Sequence, residues 1–284
     1  MAQKNFLTPA EIAEFSTNVG VNKTSIPRSK SFALAILAGA FIGFAAFGSN
    51  MAAHNLLANP ETFGLGRCMA GIIFTVGLVM VIVGGAELFT GNTLITTSVL
   101  NKKVTWGAMF RNWGWIWVGN LVGSVLVAYL TTHTSLCSSS ANLLGAMTIK
   151  IAVGKVGLDF LPAIFLGILC NWLVCMAVWM SFSAQDVIGK MFACVFPIWL
   201  FVCSGFEHSV ANMTYIPMGI FAKANSAWAE AAMAVGVTPE QLDGLNWGSM
   251  FIDNLLPVTI GNIIGGALFV ATFYWFSFLR KKEA

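Results

Sequence analysis

Charge is what this sequence has least of. Only 10% of its 284 residues are Asp, Glu, Lys or Arg, whereas a soluble domain carries about a quarter. Hydrophobic residues make up 57% of the chain and the mean hydropathy is +0.78. That composition excludes an ordinary soluble domain. Metal-ligand patterns are also missing. The 6 cysteines are Cys68, Cys137, Cys170, Cys175, Cys194 and Cys203. Five fall in apolar runs, where cysteine packs as a small hydrophobe. Cys170 and Cys175 have neither metal-ligand spacing nor a neighbouring histidine, so no zinc site and no disulfide framework is expected. Of the 3 histidines, His54 and His133 fall near loops and only His208 falls within an expected membrane span. A haem held by two intramembrane histidines is therefore not expected. Residues 1–30 lack the apolar core of a signal peptide.

What is there is long charge-free sequence. No charge occurs from Ser31 to Pro60, Cys68 to Ala86, Asn112 to Ile149, Phe160 to Gln185, Met191 to Phe206 or Asn254 to Leu279. A membrane crossing needs about 20 apolar residues. Six crossings fit, and the third run also holds a polar loop. Ahead of them, "TPAEIAEF" reads as a helix start, with Thr8 as N-cap, Pro9 in the first turn and Glu11 closing a capping box. Ile12 and Phe15 share a face of that helix, which is expected to lie on the membrane or against the body of the protein; a mobile tail is the alternative. Cytoplasmic loops carry an excess of Lys and Arg. With both termini placed inside, 11 of the 15 Lys and Arg lie on that side. The net charge of +3 follows from this bias, and no nucleic-acid partner is expected. The expected organisation is a cytoplasmic segment 1–30, one transmembrane domain 31–280 and a tail 281–284.

Two of the crossings are too long and are interrupted. Glu87 is the only charge between Arg67 and Lys102, and Glu207 the only one between Lys190 and Lys223. Both interruptions read G-x-E-x4-N: Gly85, Glu87 and Asn92, then Gly205, Glu207 and Asn212, 120 residues apart. The crossings that follow match as well, with "GNLVG" at Gly119–Gly123 and "GNIIG" at Gly261–Gly265, 142 residues apart. Two matches in the same order define two three-span halves, about 31–131 and 159–279. Three is odd, so the second half enters from the opposite side, giving an inverted repeat. The fold class expected is an all-α membrane protein of six transmembrane helices, two of them broken.

Irregular backbone at membrane depth is tolerated only inside protein or against a wet cavity, and ionisable residues there point to function. Glu87 and Glu207 are read first as braces hydrogen-bonded to the backbone freed by the breaks, with a direct functional role as the alternative. His208 sits at a break beside a hydroxyl and an asparagine, and is read as functional. Asn120 and Asn262 are either partners of the broken helices or pore-lining groups, the structural role being favoured. Their glycines are read as close-packing positions. Phe74, Leu78, Leu88, Phe89 and Phe201 flank the same points, as ordinary packing or as apolar constrictions.

The runs "GAELFTGNTL", "CNWLVCMAVWMS", "SGFEHSVANM", "IPMGI" and "DNLLPVTIGNIIGG" closely resemble the formate/nitrite transporter family over roughly residues 30–280. "SGFEHSVANM…IPMGI" and "DNLLPVTIGNIIGG" are most similar to its formate channels, while "CNWLVC" also resembles the nitrite branch. The resemblance implies an aquaporin-like fold, a homopentamer with one pore per subunit and a small weak-acid anion as substrate. It implies Thr90 and His208 facing each other in the pore, an outer constriction of Phe74 and Phe201, and an inner one of Leu78, Leu88 and Phe89. Asn171 and Asn262 would face the central region, and Lys155 would stand in the vestibule.

The function expected is a pH-sensitive formate channel in the plasma membrane of a bacterium, the inner membrane if Gram-negative. His208 would hydrogen-bond the anion or lend it a proton. The alternatives are a nitrite or hydrosulfide channel and a proton-coupled formate or lactate carrier. An enzyme is not expected, because no metal or cofactor constellation is present.

Overall fold

The computed structural model describes residues 6–280; Lys4 and the expected tail 281–284 lie outside them. The first helix, α1 (Pro9–Ser25), opens as its capping signature predicts, with the Glu11 carboxylate accepting from Thr8 N and Oγ1, both at 2.7 Å. It lies against the body of the protein rather than trailing as a tail. Its buried stripe is Ile12, Ala13, Ser16, Thr17 and Gly20. Phe15 stays 43% exposed, touching Phe182 edge-on. The contact is made by small and hydroxyl residues: Ser98 Oγ donates to Thr17 O at 2.7 Å, and Gly20 leaves room for that serine.

The crossings follow. α2 (Arg28–Ala58) runs out and α3 (Phe63–Gly84) runs back to the first break. Two short helices, α4 (Phe89–Asn92) and α5 (Ile95–Leu100), complete that crossing, and α6 (Trp106–Thr132) returns. The second half repeats the plan. α7 (Leu143–Val156) precedes α8 (Phe160–Ser183), then α9 (Val187–Ser204) reaches the second break and α10 (Ser209–Ala222) leaves it. Two short helices, α11 (Ser226–Ala234) and α12 (Pro239–Gly244), occupy the loop before the last crossing, α13 (Trp247–Phe278). Six helices among the described residues are long and apolar enough to cross a membrane. The described residues hold no strand, only a single antiparallel bridge from Phe6 to Ala184.

The halves are packed by the glycines of the repeated motif. A Cβ on Gly123 would collide with the Ile36 carbonyl of α2, and one on Gly265 with the Ile168 carbonyl of α8. These two glycines stand at equivalent places in the repeat, so each half crosses its first and last helices at backbone contact. α13 is not a uniform α-helix. It winds with π-type turns at Met250–Leu255 and Ile264–Thr272, on either side of Asn262, an irregularity often found at functional sites.

Candidate functional site

Each break is built the same way. The chain leaves α3 through Gly85 at φ +80° and leaves α9 through Gly205 at φ +85°, left-handed backbone that glycine adopts without a Cβ penalty. Three non-helical residues follow in each, the last of them, Leu88 and His208, in extended backbone. Glu87 N donates to Leu34 O and Glu207 N to Leu166 O, both at 3.2 Å. Leu34 and Leu166 occupy the same place in α2 and α8.

The remaining freed backbone is held by asparagine. Asn120 Oδ1 accepts from Phe89 N at 2.8 Å, while its Nδ2 donates to Ala35 O and Glu87 O at 2.8 and 2.9 Å. Asn262 does the same in the other half, accepting from Ser209 N and donating to Gly167 O and Glu207 O, each at 2.9 Å. All of these groups are buried, where an unpaired backbone group would be costly. Asn120 and Asn262 each make all three of these side-chain bonds to backbone. The resemblance implies that Asn262 faces the central region; its side-chain amide is bonded to the backbone of Ser209, Gly167 and Glu207.

The glutamates do something other than the expected bracing. Glu87 Oε1 accepts from Lys23 Nζ at 2.7 Å and Oε2 from Asn92 Nδ2 at 2.8 Å. Glu207 is bridged by Lys155 Nζ at 2.9 and 3.1 Å and accepts from Asn212 Nδ2 at 2.6 Å. A second asparagine closes each cluster. Asn92 Nδ2 donates to Asn112 Oδ1 at 3.0 Å, and Asn212 Nδ2 to Asn254 Oδ1 at 2.7 Å. Asn112 and Asn254 then donate to the carbonyls of Lys23 and Lys155 at 3.4 and 2.8 Å. The carboxylates are spent on side chains because asparagine already satisfies the backbone. The correspondence also reaches beyond the six crossings, since Lys23 on α1 matches Lys155 on α7.

Between the breaks His208 meets Thr90, Nε2 to Oγ1 at 2.9 Å. His208 is also the N-cap of α10, its Nδ1 accepting from Ala211 N at 3.0 Å. An acceptor nitrogen carries no proton, so the ring is the neutral tautomer with its hydrogen on Nε2, aimed at Thr90. Asn171 stands one layer behind. Its Nδ2 donates to Thr90 O and Thr93 Oγ1 at 3.2 Å and to Asn262 O at 2.6 Å. It therefore ties the Thr90 backbone to the second half.

Cavities approach this contact from two sides. The larger, of about 580 Å³, is lined by Arg67, Phe74, Lys155, Phe201, Glu207 and His208 among others. The smaller, of about 60 Å³, is lined by Lys23, Leu78, Leu88 and Asn92 among others, with α1 forming one wall. Phe74 and Phe201 meet edge-on with centroids 5.7 Å apart, and Phe201 stacks on the His208 ring at 5.9 Å. Both phenylalanines, and Leu78 and Leu88 on the other side, are at most 3% exposed. Phe89 stands apart from the inner pair. Its ring packs edge-on against Trp113 and lines neither cavity.

Lys23, Asn112 and Asn254 were missed by sequence reasoning, and the repeat itself was the signal that could have found two of them. Asn112 and Asn254 are 142 residues apart, the same offset as Asn120 and Asn262. Among the described residues no group of three or more His, Cys, Asp or Glu could hold a metal ion.

Two oppositely inserted halves, with a polar contact where their breaks meet and a cation in the cavity on either side, define a membrane protein that passes small solutes. The chain matches the family described as "Formate/nitrite transporter" over residues 10–276. It is 40% identical to "Formate channel FocA" of Escherichia coli (strain K12), over 98% of this chain and 97% of that one. It is 37% identical to "Probable formate transporter" of Methanothermobacter thermautotrophicus, over 98% and 99%. Among solved structures it is similar to "Pentameric formate channel with formate bound", with 36% identity, a TM-score of 0.78 and coverage of 89% and 98%. It is also similar to an "FNT family ion channel", with 28% identity, a TM-score of 0.75 and coverage of 94% and 98%. The chain belongs to the formate/nitrite transporter family.

Proposed function

We propose that this protein is a homopentameric, passive formate channel of a bacterial plasma membrane, with one pore in each subunit and both termini cytoplasmic. The observation that carries the reading is the buried contact of His208 Nε2 with Thr90 Oγ1, between cavities that each hold a lysine. The relatives named for formate, and the pentameric relative with formate bound, supply the substrate and the assembly.

A bare anion crossing the apolar rings loses its hydration at a cost of several kcal/mol or more. Lys155 and Lys23 offset the charge of Glu207 and Glu87 beside the two cavities, and Arg67 draws a carboxylate into the larger one. At the centre, Nε2–H of His208 and the Thr90 hydroxyl replace part of the lost water. The neutral ring offers a hydrogen bond but has no proton to spare, since releasing one would leave an imidazolate. Proton transfer to formate starts from imidazolium, so Nδ1 must first be protonated, and that breaks the bond from Ala211. Such a cap is worth about 1 kcal/mol. Acid therefore favours passage as neutral formic acid, and neutral pH favours passage as the anion held by Nε2–H.

The test is flux into liposomes carrying the purified protein, comparing formate, nitrite, hydrosulfide, lactate and chloride with and without a proton gradient. Formate is expected to run fastest and downhill only, and acid should raise formate flux but not chloride flux, because chloride accepts no proton. Preference for nitrite would overturn the substrate, and uphill formate movement driven by protons would overturn the channel.

A further inference from the structure

We propose that Cys68 and Cys203 form a redox-controlled dithiol whose oxidation to a disulfide within one subunit restrains the outer constriction. Of the 6 cysteines, Cys137, Cys170, Cys175 and Cys194 are buried, and only Cys68 and Cys203 are partly exposed. These two face each other, Sγ to Sγ at 3.5 Å. They lie on α3 and α9, the two helices that bring Phe74 and Phe201 together.

The thiols are held in register by their surroundings. Arg67 donates from Nε to Cys203 O at 3.2 Å and from Nη2 to Val202 O at 2.6 Å. Trp199 Nε1 donates to Cys68 O at 3.0 Å. These three bonds all join α3 to α9 beside the pair. A disulfide is about 2.05 Å long, so closure asks the two sulfurs to approach by roughly 1.5 Å. The Lys and Arg distribution puts this end of α3 outside, where disulfides form and persist.

The oxidant is a disulfide, small or carried by a thiol oxidoreductase. The thiolate of one cysteine attacks it, forming a mixed disulfide and releasing one thiolate. The second cysteine attacks the first cysteine's sulfur and expels the other. The net change is two protein thiols plus one disulfide giving the Cys68–Cys203 bond and two small thiols. With Phe74 and Phe201 2% and 3% exposed, a solute passes only when those rings, or the helices carrying them, yield. A covalent link between α3 and α9 two residues beyond Phe201 opposes that.

The experiment uses the full-length protein in liposomes, treated with glutathione disulfide and then with dithiothreitol. Peptide mass mapping reports the link, and flux is measured with whichever of formate or nitrite the reduced protein passes. A failure of formate specificity therefore leaves both readouts intact. The expected result is a Cys68–Cys203 link within one subunit and a severalfold, reductant-reversible fall in flux. Cys68→Ser and Cys203→Ser should keep the reduced flux and lose the sensitivity. Thiols consumed without that link, a link between subunits, or a link that leaves flux unchanged would each overturn the proposal.

Discussion

His208 and Thr90 are 118 residues apart in sequence and meet at 2.9 Å, each presented by a different helix break. Because Nδ1 of the same ring caps α10, the two nitrogens have separate duties. Asparagine is also a good cap, so His208→Asn should keep the fold while removing Nε2–H. Formate flux should fall and lose its dependence on pH across the range where wild type responds. Thr90→Val should lower flux without removing the pH dependence. Unchanged flux and pH profile in His208→Asn would end the assignment of the ring to the pore.

The lysine–glutamate pairs should respond unequally to removal of either member. Glu207 is 8% exposed and Lys155 15%, so an orphaned carboxylate has less access to water than an orphaned ammonium. Breaking a buried pair costs about 3–5 kcal/mol. Lys155→Met is expected to lower the unfolding temperature more than Glu207→Gln, and the double substitution less than Lys155→Met alone. Thermal unfolding in detergent reads the order.

Asn120 and Asn262 make equivalent sets of three bonds to backbone. Each buried group left without a partner costs about 1–3 kcal/mol. Asn120→Ala and Asn262→Ala should therefore be destabilised to a similar degree. Asn262→Asp should recover only part of the loss, since a carboxylate accepts from Ser209 N but donates nothing to Gly167 O or Glu207 O. Full recovery by aspartate in a denaturation assay would show that the donor side of the amide is idle.

Gly85 and Gly205 share a left-handed backbone but differ in surroundings. A Cβ on Gly85 meets open space, and one on Gly205 would stand 2.7 Å from Arg67 Nη2. Alanine at either position costs about 1–2 kcal/mol in backbone conformation alone. Gly205→Ala carries the clash in addition and should be the less stable, an order that paired melting curves check directly.

The fold was legible because its determinants are local. Charge-free runs mark the crossings, and the Gly–Glu–Asn signature marks each break. Thr90 and His208 were legible through motif. What was not legible depends on partners chosen in three dimensions. Nothing near Glu87 in sequence says that its counter-ion is Lys23, 64 residues earlier on a helix outside the expected repeat. Beside Ile12 that helix buries Ala13, Ser16, Thr17 and Gly20, small and polar residues that add little to the face Ile12 shares with Phe15, so the seat against Ser98 is not marked in sequence. Phe89 looked like part of a constriction from its place beside Leu88, but consecutive residues at a helix start face different ways, and its ring turns to Trp113.

Leu88 and His208 occupy one and the same position of the duplicated plan, the residue just before the half-helix that leaves each break. Identical halves would set two imidazoles, or two leucines, on either side of the centre. Here one half supplies an oily cap and the other a hydrogen-bonding one, so the pore has a polarity that its architecture does not. On the proposed path, a solute arriving past Lys23 would meet Leu78 and Leu88 before the central contact. One arriving past Lys155 would meet the aromatic rings with the imidazole stacked directly behind them. The two directions of travel share a path but not the order of events along it.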